Sequence, residues 1–212
     1  MNSFEALAPF SFIAAGLALT PVAYLMLVAW PLARTDLRER RLPNSLTLPG
    51  LGLGLVAQTL ASLVLGFGAL SQGLAAGQSR GQGRAGGSEG QNDWVRLLGH
   101  SFANQGGALA SAAAVFALSL AAHVWADLGM GDVKLLTVIA LSLGWFNPWS
   151  PLLALMVGLA VAVAVATLNV ARGRAKLSST LPLGPYLLLG FFAACAVLAA
   201  GVATPASSVF VV

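Results

Sequence analysis

Long apolar runs without charge dominate this sequence, separated by short charged or turn-rich interruptions. They cover Ala6–Ala33, Ser45–Ser79, Leu97–Ala126, Leu135–Ala171 and Leu177–Val212. Each is longer than the roughly 20 residues that cross a hydrocarbon core. Dividing the runs at their turn signals predicts six helices, at 9–32, 46–70, 100–126, 133–147, 151–171 and 185–204. The division at Asn147-Pro148-Trp149-Ser150-Pro151 predicts a tight hairpin with Trp145 and Trp149 at the membrane interface, and it leaves the fourth helix short. The expected fold is all-α: a polytopic transmembrane helical bundle of about six helices, forming one domain over residues 1–212.

Composition supports the same reading. Of 212 residues, 58% are hydrophobic and only 8% charged, whereas soluble domains carry roughly a quarter charged. Mean hydropathy is +0.83. The N-terminal run follows Glu5 rather than a basic start and is too long for a signal-peptide core, so it is expected to be a retained first span. Residues 71–93 hold seven glycines among Gln, Ser and Arg and are expected to form a flexible linker. The one cysteine, Cys195, excludes an internal disulfide and a thiolate zinc cluster.

The charges set orientation. Eight basic residues, Arg34, Arg38, Arg40, Arg41, Lys134, Arg172, Arg174 and Lys176, fall in loops on one side, and three, Arg80, Arg84 and Arg96, on the other. The positive-inside rule makes the first side cytoplasmic and places both termini on the non-cytoplasmic side. The pI near 10.0 therefore reports membrane anchoring, and no nucleic-acid partner is expected.

Acids are rarer still. Glu5, Glu89 and Asp93 lie in the N-terminal tail and the linker, whereas Asp36, Glu39, Asp127 and Asp132 all fall on the expected cytoplasmic side. Carboxylates beside a membrane are costly unless hydrated, paired or functional. Asp36 opens Asp36-Leu37-Arg38-Glu39-Arg40-Arg41-Leu42-Pro43-Asn44, just past the first predicted span; alone, it reads as an ordinary charge in a basic loop. Asp132 closes Gly129-Met130-Gly131-Asp132 at the start of the fourth helix, where the ordinary reading is a helix-start turn favoured by the macrodipole. Asp127 reads as a solvated helix end. His100 and His123 lie far apart with no third ligand, so no metal and no cofactor are expected.

Taken together, the Asp36–Asn44 segment, the Gly129–Leu135 segment and Leu181-Pro182-Leu183-Gly184-Pro185-Tyr186 resemble, in order and spacing, the type IV prepilin peptidases of the GxGD class of membrane aspartic proteases. The resemblance covers residues 20–200. It implies that Asp36 and Asp132 are the catalytic pair of an aspartic endopeptidase in the bacterial inner membrane. It also implies that the substrate is a prepilin or pseudopilin precursor cut at the cytoplasmic face, with pilus assembly or secretion machinery as a further partner. The methyltransferase region and four-cysteine zinc loop of larger members are missing from this sequence, which looks like the short, peptidase-only form of tight-adherence (Flp-type) pilus systems. Gly129 and Gly131 are expected to give a substrate strand room. Pro182, Gly184 and Pro185 resemble a proline-containing segment that docks substrate, and Lys134 is a candidate oxyanion donor whose simpler account is snorkelling.

Two carboxyls close together share one proton and titrate as a pair, one activating water and the other protonating the carbonyl oxygen. Helix direction predicts the division of roles. Asp36 beyond a helix C-terminus would carry the proton, and Asp132 at a helix N-terminus would act as base. Two other functions fit scarce acids and glycine-broken helices. One is a small proton-coupled transporter or channel, which would favour an internal repeat and a mid-span acid; the other is a non-catalytic assembly factor.

Overall fold

A computed structural model describes residues 3–39, 44–80, 89–126, 128–173 and 182–203. The described residues form six helices: α1 (Ser3–Glu39), α2 (Asn44–Arg80), α3 (Glu89–Ala126), α4 (Met130–Gly144), α5 (Ser150–Ala171) and α6 (Gly184–Ala203). No strand occurs among them. Every helix except α4 contains a stretch long and apolar enough to span a bilayer, and the protein is a multi-pass membrane protein of the all-helical kind.

The short helix α4 is the hub of the bundle. Its 15 residues extend only about 22 Å, yet it touches each of the other five helices. Val133, Leu135, Leu136 and the unbroken run Val138–Gly144 are all buried. A helix apolar all round is stable when protein surrounds it, and the surrounding spans supply that cover. Val22, Leu25, Ala29 and Leu32 of α1 and Leu187, Leu188 and Phe191 of α6 close on its Leu135, Leu136 and Ile139.

Small residues bring α5 onto α6. The buried positions Ser150, Ala154, Gly158 and Ala162 recur every fourth residue on α5, the small-residue stripe by which membrane helices approach closely. A Cβ at Gly158 would lie 2.9 Å from the Tyr186 carbonyl oxygen, so only glycine allows this spacing. The α4–α5 hairpin turns as expected: Asn147 Oδ1 accepts the Trp149 N–H at 2.9 Å, and the Asn147 carbonyl accepts the Ser150 N–H at 3.1 Å.

Three expectations are corrected. α1 runs to Glu39 rather than ending at 32, because its core stripe Val22, Leu25, Ala29, Leu32 continues one turn further to buried Asp36. Trp149 is exposed, but Trp145 is buried, held among Ala14, Ala18, Ala61, Ala108, Ala112 and Ala140, whose small side chains leave room for an indole. Of the expected 71–93 linker, residues 71–80 and 89–93 are helical, and 81–88 lie outside the described residues. The glycines there weaken helix without forbidding it, at about 1 kcal/mol each.

Candidate active site at one end of the bundle

The end of α1, the starts of α2, α4 and α6, and the loop preceding α4 meet at one end of the bundle. Two contacts define that convergence. The Gly184 N–H donates to Asp36 Oδ2 at 3.0 Å, joining α6 to α1, and Lys134 Nζ donates to Asn44 Oδ1 at 2.8 Å, joining α4 to α2. His123 Nδ1 bonds the Leu128 carbonyl, which ties the loop before α4 back to the end of α3. An imidazole bonding a carbonyl through Nδ1 does so as donor, so the proton is on that nitrogen.

Asp36 lies in the last turn of α1 and is only 5% exposed. A buried carboxylate without a partner is strongly disfavoured, and the Gly184 N–H is its partner. Residue 184 has no space for a side chain: a Cβ there would stand 2.8 Å from Asp36 Oδ2 and 3.1 Å from Cγ. Pro185 is the second residue of α6, where a missing N–H costs nothing because no intrahelical acceptor exists there. Pro182 and Pro185 are both half-buried.

Asp132 lies in the first turn of α4 and is half-buried. The Gly129 carbonyl starts that helix by accepting the N–H groups of Asp132 at 2.9 Å and Val133 at 3.3 Å. Gly129 itself is exposed and Gly131 half-buried; a Cβ at 129 would stand 3.1 Å from Asp132 Oδ2. Burial, and after it the charge of neighbouring Asp36, pushes the Asp132 carboxyl up to about 6. The two aspartates, on different helices and far apart in sequence, are thus electrostatic neighbours. A neighbouring negative charge makes the second ionisation of such a pair harder than the first.

Two expectations about neighbouring groups change. The Lys134 ammonium is engaged with Asn44 at the start of α2, which fastens the helix ends together. Asp36 is inside α1 rather than beyond it, and the helix terminus it meets is the N-terminus of α6, whose partial positive charge favours a carboxylate. In the last turn of α1 the C-terminal partial charge still disfavours a carboxylate, and the N-terminus of α6 opposes it, so helix direction alone does not decide the protonation of Asp36. The α6 contact had a trace in the sequence, because Asp36 lies four residues after Leu32 on the buried stripe; which helix would face it had none. Asp127, Arg40 and Arg41, and the side chain of His100, lie outside the described residues.

Chemically, a buried carboxylate held by one backbone donor beside a half-exposed carboxyl of raised affinity for protons is suited to paired acid–base work on a water molecule. Arg34, Arg38 and Glu39 are exposed around it, as are Gly129 and Met130 on the Asp132 side, so the pair is approached from the end of the bundle. Among the described residues, no three His, Cys, Asp or Glu side chains group as a metal-ligand set. No family model, curated protein or solved structure matches this chain.

Proposed function

We propose that this protein is an aspartic endopeptidase of the bacterial inner membrane, a prepilin leader peptidase. It hydrolyses the bond between the leader and the mature part of type IV pilin-like precursors at the cytoplasmic face. What supports this reading is that Asp36 and Asp132 stand at the same end of the bundle, near enough for the charge of Asp36 to raise the proton affinity of Asp132, since peptide hydrolysis without a covalent nucleophile needs one group to activate water and another to protonate the carbonyl oxygen. The position of both acids in terminal turns at one end of the bundle supports a substrate that arrives from the membrane edge. A proton pathway would call for an acid midway along a span.

The test is co-expression with a pilin precursor. Wild-type protein should convert the precursor to its shorter form, while Asp36→Asn and Asp132→Asn should leave it uncut at equal membrane levels of enzyme. Continued processing by both variants would sink the peptidase reading.

A further inference from the structure

The start of α6 carries an inference about how the two acids divide their work; it rests on the peptidase reading. A helix N-terminus has N–H groups with no intrahelical acceptor, and here their fates can be followed one by one. The N–H groups of Tyr186 and Leu187 turn back onto the Leu183 carbonyl, at 3.1 and 3.0 Å. Pro185 has none to offer. The Gly184 N–H turns outward from the helix and points at Asp36 Oδ2 from 3.0 Å in a buried setting. An N–H can only donate, and a hydrogen bond of this kind is stronger to an ionised acceptor than to a neutral one.

Asp132 is differently placed. Its own N–H and that of Val133 are used by the Gly129 carbonyl, and among the described residues no hydrogen-bond donor reaches its carboxyl group. Of the two acids it is also the one more open to the end of the bundle, where a substrate carbonyl would arrive.

We propose that the Leu183-Gly184-Pro185 corner assigns the roles within the pair: it holds Asp36 as the carboxylate that takes a proton from water, and leaves Asp132 to carry the proton given to the scissile carbonyl. Gly184 is then a positioning residue, acting through Asp36. In the first step water attacks the carbonyl carbon, one of its protons passes to Asp36, and Asp132 protonates the carbonyl oxygen, giving a neutral gem-diol. In the second step the C–N bond breaks: Asp36 returns its proton to the departing nitrogen, and Asp132 recovers one from a gem-diol hydroxyl as the new carboxyl group forms. Peptide and water become acid and amine, and both aspartates end as they began. The roles are the reverse of those that helix direction alone assigns.

Two measurements test this. In infrared spectra of detergent-solubilised protein with isotope-labelled aspartate at pH 5, the neutral carboxyl band of the pair should persist in Asp36→Asn and vanish in Asp132→Asn. The opposite pattern would overturn the assignment, and this readout needs neither cleavage nor a variant at residue 184. In kinetics on a pilin precursor, Gly184→Ala should lower kcat on the order of 10- to 100-fold, the size expected of a misplaced catalytic group. KM should hold, and the acid limb of the kcat profile should move to higher pH. An unchanged kcat, or a loss confined to KM, would overturn the positioning role. A wild-type chain that cuts no precursor would remove the peptidase reading and these roles together, while the infrared pattern would still report where the proton resides.

Discussion

Asp132, in the first turn of α4, lies close enough to Asp36, in the last turn of α1, for the charge of one to raise the proton affinity of the other. Groups that act as a unit are lost as a unit. Asp36→Asn and Asp132→Asn should each cut the single-turnover rate of precursor cleavage by roughly 10²–10⁴-fold. The double variant should be scarcely worse than either alone, as a quenched time course on purified enzyme would show.

The raised affinity of Asp132 has a thermodynamic signature. Its carboxyl is pushed from 3.8 to about 6, so the folded state binds this proton more tightly than the unfolded chain does. The resulting stabilisation is fully present below pH 3.8 and is lost as pH rises through about 6. Thermal unfolding in detergent should show the wild-type midpoint falling between pH 4 and pH 7. In Asp132→Asn, which cannot titrate there, that part of the slope should disappear.

The Lys134–Asn44 hydrogen bond joins exposed groups, where solvent screening holds the contribution of a charged contact to about 1 kcal/mol. Lys134→Gln should therefore cost little stability and leave the rate of precursor cleavage within a few-fold of wild type. A loss of kcat comparable to that of the aspartate variants would restore the oxyanion role for this lysine.

At Gly158 the constraint is steric. A side chain there meets the Tyr186 carbonyl oxygen at 2.9 Å and the Leu187 Cα at 3.2 Å, both backbone atoms of the helix that presents Gly184 to Asp36. Gly158→Val should destabilise the protein by about 1–3 kcal/mol, read as a lower unfolding midpoint in detergent. It should also slow precursor cleavage, because α6 must shift to accommodate it.

Much of the architecture was legible in the chain. The apolar runs located all six helices, and the starts of α4, α5 and α6 fall within a few residues of expectation, because Gly, Pro and Asn punctuate them. The far end of α1 is not legible there: hydrophobicity falls away at Arg34 and Asp36, although the buried stripe runs on to Asp36. The burial of Trp145 is hidden for a related reason. A tryptophan near a turn suits an interface, and only the alanines gathered from α1, α2, α3 and α4 make a buried site for it.

By itself the sequence determined that this is a membrane bundle of helices and that Asp36 and Asp132 belong to helix ends on the same side, because hydrophobic length and charge placement act locally along the chain. Only the tertiary structure decided that α4 would be enclosed by its five neighbours, that Asp132 would sense Asp36, and that the Gly184 N–H at the start of α6 would fall on Asp36. Those relationships depend on which faces meet between helices, some of them far apart in sequence, and a periodic pattern records a helix's own faces without naming the partner that covers them.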